Sequence, residues 1–196
     1  MKNRPFVAIT MGDVAGIGPE VIAKAFQHNQ IYRRCRPFVI GNAAAMEDAL
    51  RIVDMAVEVR VSDSLEGVVG EPGEIDILDP ENLDYGQITY GRLSALAGAA
   101  SVEWILKAGE LATSGRIQAI VTGPINKEAC NMAGYHEVGH MEIFQRQTNV
   151  TEVATMLMAR RLRVVHLTTH RSLRIACDYV TKDNVLEKIK LTDKHF

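Results

Sequence analysis

Short apolar runs and helical stretches alternate along the chain. Phe6 to Met11 and Pro37 to Ile40 are compact apolar runs with β-branched residues, the pattern of buried strands. Pro19-Glu20 opens a helical stretch running to about Gln27. Proline suits the first helical turn, and an acidic residue there faces the positive end of the helix dipole. Ala43 to Ile52 reads as a helix, and Val57 to Val61 and Ile75 to Leu78 as strands. Ser62 to Gly73, with three glycines and one proline, reads as a loop. The strongest helix signal spans Arg92 to Ala112. There Leu93, Leu96, Ala100, Trp104, Ala108 and Leu111 recur at three- and four-residue steps as one apolar stripe, and Ser114-Gly115 ends it. Ile117 to Val121, Val153 to Met158 and Leu162 to Leu167 follow as strands. Asn126 caps a short helix reaching Met132, and Asn184 to Lys190 is a last helix.

This alternation predicts an α/β protein with a largely parallel sheet, in which ligands sit at the carboxyl ends of strands. Three segments fall at such ends: Met11-Gly12-Asp13, Thr122-Gly123-Pro124 and Thr168-Thr169-His170. Composition narrows the setting. The chain has 196 residues, 47% of them hydrophobic, enough for a substantial core and against disorder. Lys plus Arg is 22 and Asp plus Glu is 24, so no charge excess favours nucleic acid or an anionic membrane surface. No apolar run reaches the roughly 20 residues of a membrane span. Gly12-Asp13 interrupts the first apolar run too early for a signal peptide. Cys35, Cys130 and Cys177 are odd in number and widely spaced, which suits a reducing cytoplasm rather than a disulfide framework.

Each motif has a plain reading beside a functional one. Gly12, Gly16 and Gly18 let the backbone approach a ligand closely, although the same spacing serves an ordinary strand-to-helix turn. Lys127, just past a strand end, can neutralise an anion or move a proton; a solvated lysine in a first helical turn fits the pattern equally. His166 and His170 lie roughly 13 Å apart on an extended strand, too far to share a metal without a turn between them. Arg160 and Arg161 read as a solvated turn, whereas Arg171 and Arg174 lie beside the His170 strand end and are better anion-binding candidates. Trp104 and the eight methionines read as packing residues, and the three cysteines as structural.

In combination these segments are more specific. Gly12-Asp13-x-Ala15-Gly16-Ile17-Gly18-Pro19-Glu20, the run from Tyr90 to Ala100, Thr122-Gly123-Pro124-Ile125-Asn126-Lys127, Gly139-His140-x-Glu142 and Leu167-Thr168-Thr169-His170 stand in order. They resemble the 4-hydroxythreonine-4-phosphate dehydrogenase family of pyridoxal phosphate biosynthesis. The resemblance implies a two-domain α/β/α fold like that of isocitrate and isopropylmalate dehydrogenases, divided here as 1–122 and 123–196. It also implies that the family extends beyond the residues present. NAD as hydride acceptor, a divalent metal (zinc, magnesium or cobalt) held by histidines, and a cytoplasmic homodimer are further implications, with no nucleic acid or membrane partner. By position, His170 matches a metal ligand and His140 a substrate contact. Lys127 lies in a matching motif, as a candidate catalytic residue. Met141 stands where the family carries a hydroxyl residue against substrate, and a thioether cannot donate that hydrogen bond. Arg171-Ser172 is a second departure, beside the metal ligand. The expected reaction is oxidation, with decarboxylation, of 4-hydroxythreonine 4-phosphate. The departures leave open 4-phosphothreonate, 4-phosphoerythronate or a cyclic diol carboxylate, and the family's missing continuation leaves open a truncated, non-catalytic binding fragment.

Overall fold

The computed structural model describes residues 4–136 and 139–195. Two compact units divide the chain, Met1–Thr148 and Asn149–Phe196. The first is built on five parallel strands: β1 (Phe6–Thr10), β2 (Arg36–Ile40), β3 (Glu58–Val61), β4 (Glu74–Leu78) and β5 (Ala119–Thr122), in the order β3-β4-β2-β1-β5. Helices α1 (Gly18–Phe26) and α3 (Ala43–Ile52) pack on one another, and a short α2 (Gln30–Arg34) precedes β2. The central strands carry the core: Phe38, Val39, Ile40, Ile75 and Ile77 are fully buried. Strands buried on both faces read as continuous apolar runs, which is why the pattern found them. Asn42 caps α3 through a bond from the Ala45 N–H at 3.0 Å.

One buried charge ties an edge of this sheet together. Asp76 on β4 is 1% exposed and lies opposite Arg60 on β3. Its carboxylate accepts from Arg60 Nε at 2.7 Å and from the backbone N–H groups of Val69 at 3.1 Å and Gly70 at 2.7 Å. The same carboxylate therefore satisfies the cation and pins the loop between β3 and β4, a parallel crossover that has only a single 3-10 turn, Leu65–Gly67.

Helix α4 (Ala95–Thr113) corrects the single-stripe expectation. It begins later than predicted, at the Ser94 cap, so Leu93 lies outside it; Leu93 and Leu96 are exposed. Two faces are buried instead. Ala97, Ala100, Trp104, Ala108 and Leu111 belong to the main core, while Val102 and Ile105 form a second cluster with Cys130 and Ile143. The second cluster comes from α5 (Lys127–Met132) and α6 (His140–Thr148), which pack on the outer side of α4. Gly98 permits the closest approach: a Cβ there would lie 2.2 Å from the Ala129 carbonyl oxygen. Trp104 is buried, and its indole N–H donates to Asn82 Oδ1 at 3.0 Å. The break between compact units falls at 148/149, because α5 and α6 pack on α4.

The second unit is small. Strands β6 (Met156–Ala159) and β7 (Leu162–Val165) form an antiparallel hairpin around the exposed Arg160-Arg161 turn, followed by α7 (Leu173–Tyr179) and α8 (Lys182–His195). The turn between them is too short for a parallel crossover, so this pair stands apart from the largely parallel sheet. None of this unit's described residues is buried, and Leu157, Met158, Leu162 and Leu173 are more than half exposed. Of the second domain expected at 123–196, Glu137, Val138 and Phe196 lie outside the described residues, as do Met1–Asn3 of the N-terminal segment. Among the described residues no helix is long and apolar enough to cross a membrane.

Two stability outcomes follow. Asp76→Ala leaves Arg60 without its buried partner and two N–H groups without an acceptor, and urea denaturation is expected to show a loss of about 3 kcal/mol. A loss under about 1 kcal/mol would show that water replaces the carboxylate. Gly98→Ala improves intrinsic helix propensity but drives a methyl into the α5 backbone. It is expected to lower stability by about 1–3 kcal/mol, and a stabilised variant would contradict the close approach.

Candidate functional site

The sheet order places a crevice over two neighbouring strands. From β1 the chain builds β2, β3 and β4 on one side; α4 then carries it back to β5 on the other. Beyond the carboxyl ends of β1 and β5, where the strand order reverses, α/β folds bind their ligands. Both of the first two motifs lie there. Their turns meet backbone to backbone: the Asp13 N–H donates to the Pro124 carbonyl at 2.8 Å, and the Gly123 N–H to the Thr10 carbonyl at 2.8 Å. Neither glycine can carry a side chain. A Cβ on Gly12, whose φ is +75°, would lie 2.4 Å from the Pro124 oxygen, and one on Gly123 would lie 2.6 Å from the Met11 oxygen. Thr10 is fully buried beneath this junction, and its hydroxyl has no partner among the described residues.

The side chains around the junction differ in exposure. Asp13 is half-buried, and burial pushes its carboxyl above the usual range while the Ala15 N–H, donating at 2.9 Å, works against that. The Gly91 N–H donates to the Ala15 carbonyl at 2.8 Å, so Tyr90-Gly91-Arg92 hangs on the glycine-rich turn. Asn126 caps α5 as predicted, accepting from the Glu128 N–H at 3.0 Å and the Ala129 N–H at 3.1 Å. Lys127 is the first residue of that helix and is exposed.

His140 belongs to the Gly139-His140-x-Glu142 motif, in the first unit. It begins α6, a helix the apolar pattern missed, since its sequence is polar and Ile143 is its one buried residue among those described. The imidazole is half-buried beside the Gly123 backbone, and Nε2 is buried without a partner among the described residues. Burial holds the ring below the ordinary histidine value of 6.5; the Gly123 bond and the Glu142 charge oppose it. Met141 follows on the same helix, half-buried.

His170 belongs to the second unit. It is exposed, five residues beyond the end of β7, with φ +54°. His166, whose N–H donates to the Thr155 carbonyl at 3.0 Å, extends the hairpin and is not paired with it in a cluster. Among the described residues no group of three His, Cys, Asp or Glu converges. His170 alone does not make a metal centre. The Arg171 guanidinium stacks over the Tyr179 ring at 4.7 Å, and Arg174 is exposed. Cys130 is buried in the α4–α5–α6 cluster, Cys35 is partly buried and Cys177 is exposed; all three are free thiols.

The sequence singled out Lys127, His140, Met141 and His170. The first three lie on α5 and α6, in the first unit. Asp13 and the Gly123 carbonyl had been assigned no role; a carboxylate inside a glycine-rich turn was the available signal for the first, and no signal exists for a backbone carbonyl.

Comparison with known proteins agrees with this geometry. A protein of Symbiobacterium thermophilum named as a D-threonate 4-phosphate dehydrogenase is 40% identical over 191 residues, covering 97% of this chain and 57% of that protein. The crystal structure of a 4-hydroxythreonine-4-phosphate dehydrogenase from Burkholderia phymatum superposes with a TM-score of 0.88 at 40% identity, over 96% of this chain and 57% of the other. That from Klebsiella pneumoniae gives 0.90 at 32%, over 97% and 58%. The chain thus spans a little over half the length of the relatives it matches. Residues 33–196 match the family described as pyridoxal phosphate biosynthetic protein PdxA, and the chain belongs to that family.

Proposed function

We propose that the chain takes part in the NAD-dependent oxidation, with decarboxylation, of a small 4-phosphorylated hydroxy acid. The observation that carries this reading is the junction itself. In a PdxA-family chain, the glycine-rich turn, the Thr122-Gly123-Pro124 turn and His140 meet at the carboxyl ends of β1 and β5. NAD, when bound, supplies the hydride acceptor. His140 and Met141 would contact substrate, and Lys127 would hold its anionic group or move a proton. Met141 offers no hydroxyl to the substrate. Together with the name of the Symbiobacterium relative, this favours D-threonate 4-phosphate over 4-hydroxythreonine 4-phosphate. A divalent metal (zinc, magnesium or cobalt) belongs to the proposal with His170 as one ligand, but the described residues do not complete a centre and carry no step through it. A cytoplasmic homodimer belongs to it as well. A second reading is a non-catalytic binding unit, since among the described residues no two further His, Cys, Asp or Glu join His170.

The two readings separate in one assay. Formation of reduced nicotinamide is followed with D-threonate 4-phosphate, 4-hydroxythreonine 4-phosphate and D-erythronate 4-phosphate, each with divalent metal. Turnover is expected, greatest with the first; absence of turnover with all three, alongside retained binding of any, leaves the binding unit. His170→Ala is expected to lower bound metal per chain, measured by elemental analysis, and unchanged metal content removes His170 from the ligand set.

Lys127→Ala separates that residue's two roles. A proton-transfer role lowers kcat by about 100-fold or more, whereas an anion-holding role raises KM and spares kcat. The pH dependence has a definite sign. Because the folded value of His140 lies below 6.5, its neutral ring persists above that pH and is lost as pH falls through the lowered value. Folding stability drawn from the neutral ring follows the same direction. KM is therefore expected to be flat above 6.5 and to rise at lower pH, with the rise abolished in His140→Gln. A rise that begins on the alkaline side contradicts this.

A further inference from the structure

One carboxylate at the β1–β5 junction lacks a counter-charge. Asp13 accepts from the Ala15 N–H through Oδ1 at 2.9 Å, and its own N–H donates to the Pro124 carbonyl at 2.8 Å. Ala15 is held in turn, its carbonyl accepting from the Gly91 N–H at 2.8 Å. Oδ2 takes no part in this network. Among the described residues it has no hydrogen-bond partner, and no lysine, arginine or histidine pairs with the carboxylate. Nor is Oδ2 sealed in: the enclosed side-chain polar atoms without a partner among the described residues are Thr10 Oγ1, His140 Nε2 and Gln147 Oε1. Gly16 lies beside it. A Cβ there would stand 3.7 Å from Oδ2, and the glycine leaves that space open.

Charge restricts what can sit there. Burial disfavours the ionised carboxylate and pushes the Asp13 carboxyl above its usual range. A cation alongside reverses that, whereas an anion adds to it, so the anionic groups of a phosphorylated acid belong elsewhere. A divalent metal needs several ligands, and among the described residues no group of three His, Cys, Asp or Glu converges. A flat, delocalised cation needs no such cage. Its charge is more weakly hydrated than a compact one, and Gly16 presents no side chain against its face.

We propose that Asp13 Oδ2 is the counter-charge of a flat, delocalised cation in the bound ligand, the class to which the oxidised nicotinamide ring belongs. The reduced ring is neutral, so the carboxylate favours the oxidised form and loses its partner once hydride has been transferred. The choice of ring rests on the NAD reading above; the open oxygen of Asp13 does not.

The test is calorimetric binding of NAD and of reduced NAD to the wild-type protein and to Asp13→Asn. The two forms share adenosine and pyrophosphate, so the ratio of their Kd values isolates the ring charge. Asparagine keeps an oxygen for the Ala15 N–H and removes the charge. A close opposite charge is worth about one to three units to a carboxyl, and one unit is tenfold. Asp13→Asn is therefore expected to raise the Kd for NAD by about 10-fold or more, and that for reduced NAD by less than about twofold. An equal change for both forms, or none, overturns the proposal and leaves the NAD reading intact. Absence of binding of either form to the wild type removes the NAD reading and the proposal with it. If Asp13→Asn does not fold, carbon NMR of the wild-type Asp13 carboxyl decides. NAD is expected to lower its titration midpoint by about one unit or more and reduced NAD to leave it in place; the same midpoint with both overturns the counter-charge.

Discussion

The contact on which the site depends is one of backbone against backbone. The turns leaving β1 and β5 approach so closely that the space for a Cβ at Gly12 and at Gly123 is already taken by main-chain oxygens. Hydrogen bonds close the gap in both directions, Asp13 to Pro124 and Gly123 to Thr10. A junction of this kind fixes carbonyl directions more tightly than side-chain packing does, because main-chain dipoles have no rotamers to exchange. It positions the Asp13 carboxylate in its half-buried turn and the start of the helix that carries Lys127.

Helix α4 is the support behind that junction. It is buried on two sides, toward the sheet through Trp104 and its alanines and toward α5 and α6 through Val102 and Ile105. Its small residues set the distances. Gly98 lets the α5 backbone come into contact, so the helix that delivers Lys127 is spaced by a glycine of α4.

Much of the fold was legible along the chain. The buried parallel strands announced themselves as apolar runs, and Asn126 and Gly115 marked a helix start and end. Other parts were not legible. The α4 stripe was read as single because spacing along a helix does not reveal how many neighbours the helix has. Helix α6 was invisible to apolar periodicity, as a helix that buries chiefly one isoleucine leaves almost no periodic signal. The last two strands carried apolar runs like the others; their antiparallel pairing follows from the two-residue turn at Arg160-Arg161, whose meaning depends on where the strands end.

Among the candidate residues, motif order along the chain named Lys127, His140, Met141 and His170, and the family could be assigned from those motifs. That much is chemical identity and spacing, which a one-dimensional string contains. That the His140 ring is half-buried, that Asp13 sits in a half-buried turn and that Lys127 is exposed were decided by tertiary structure alone. The reason is physical: burial is a property of elements far apart in sequence. It exists only once β1 and β5 lie side by side.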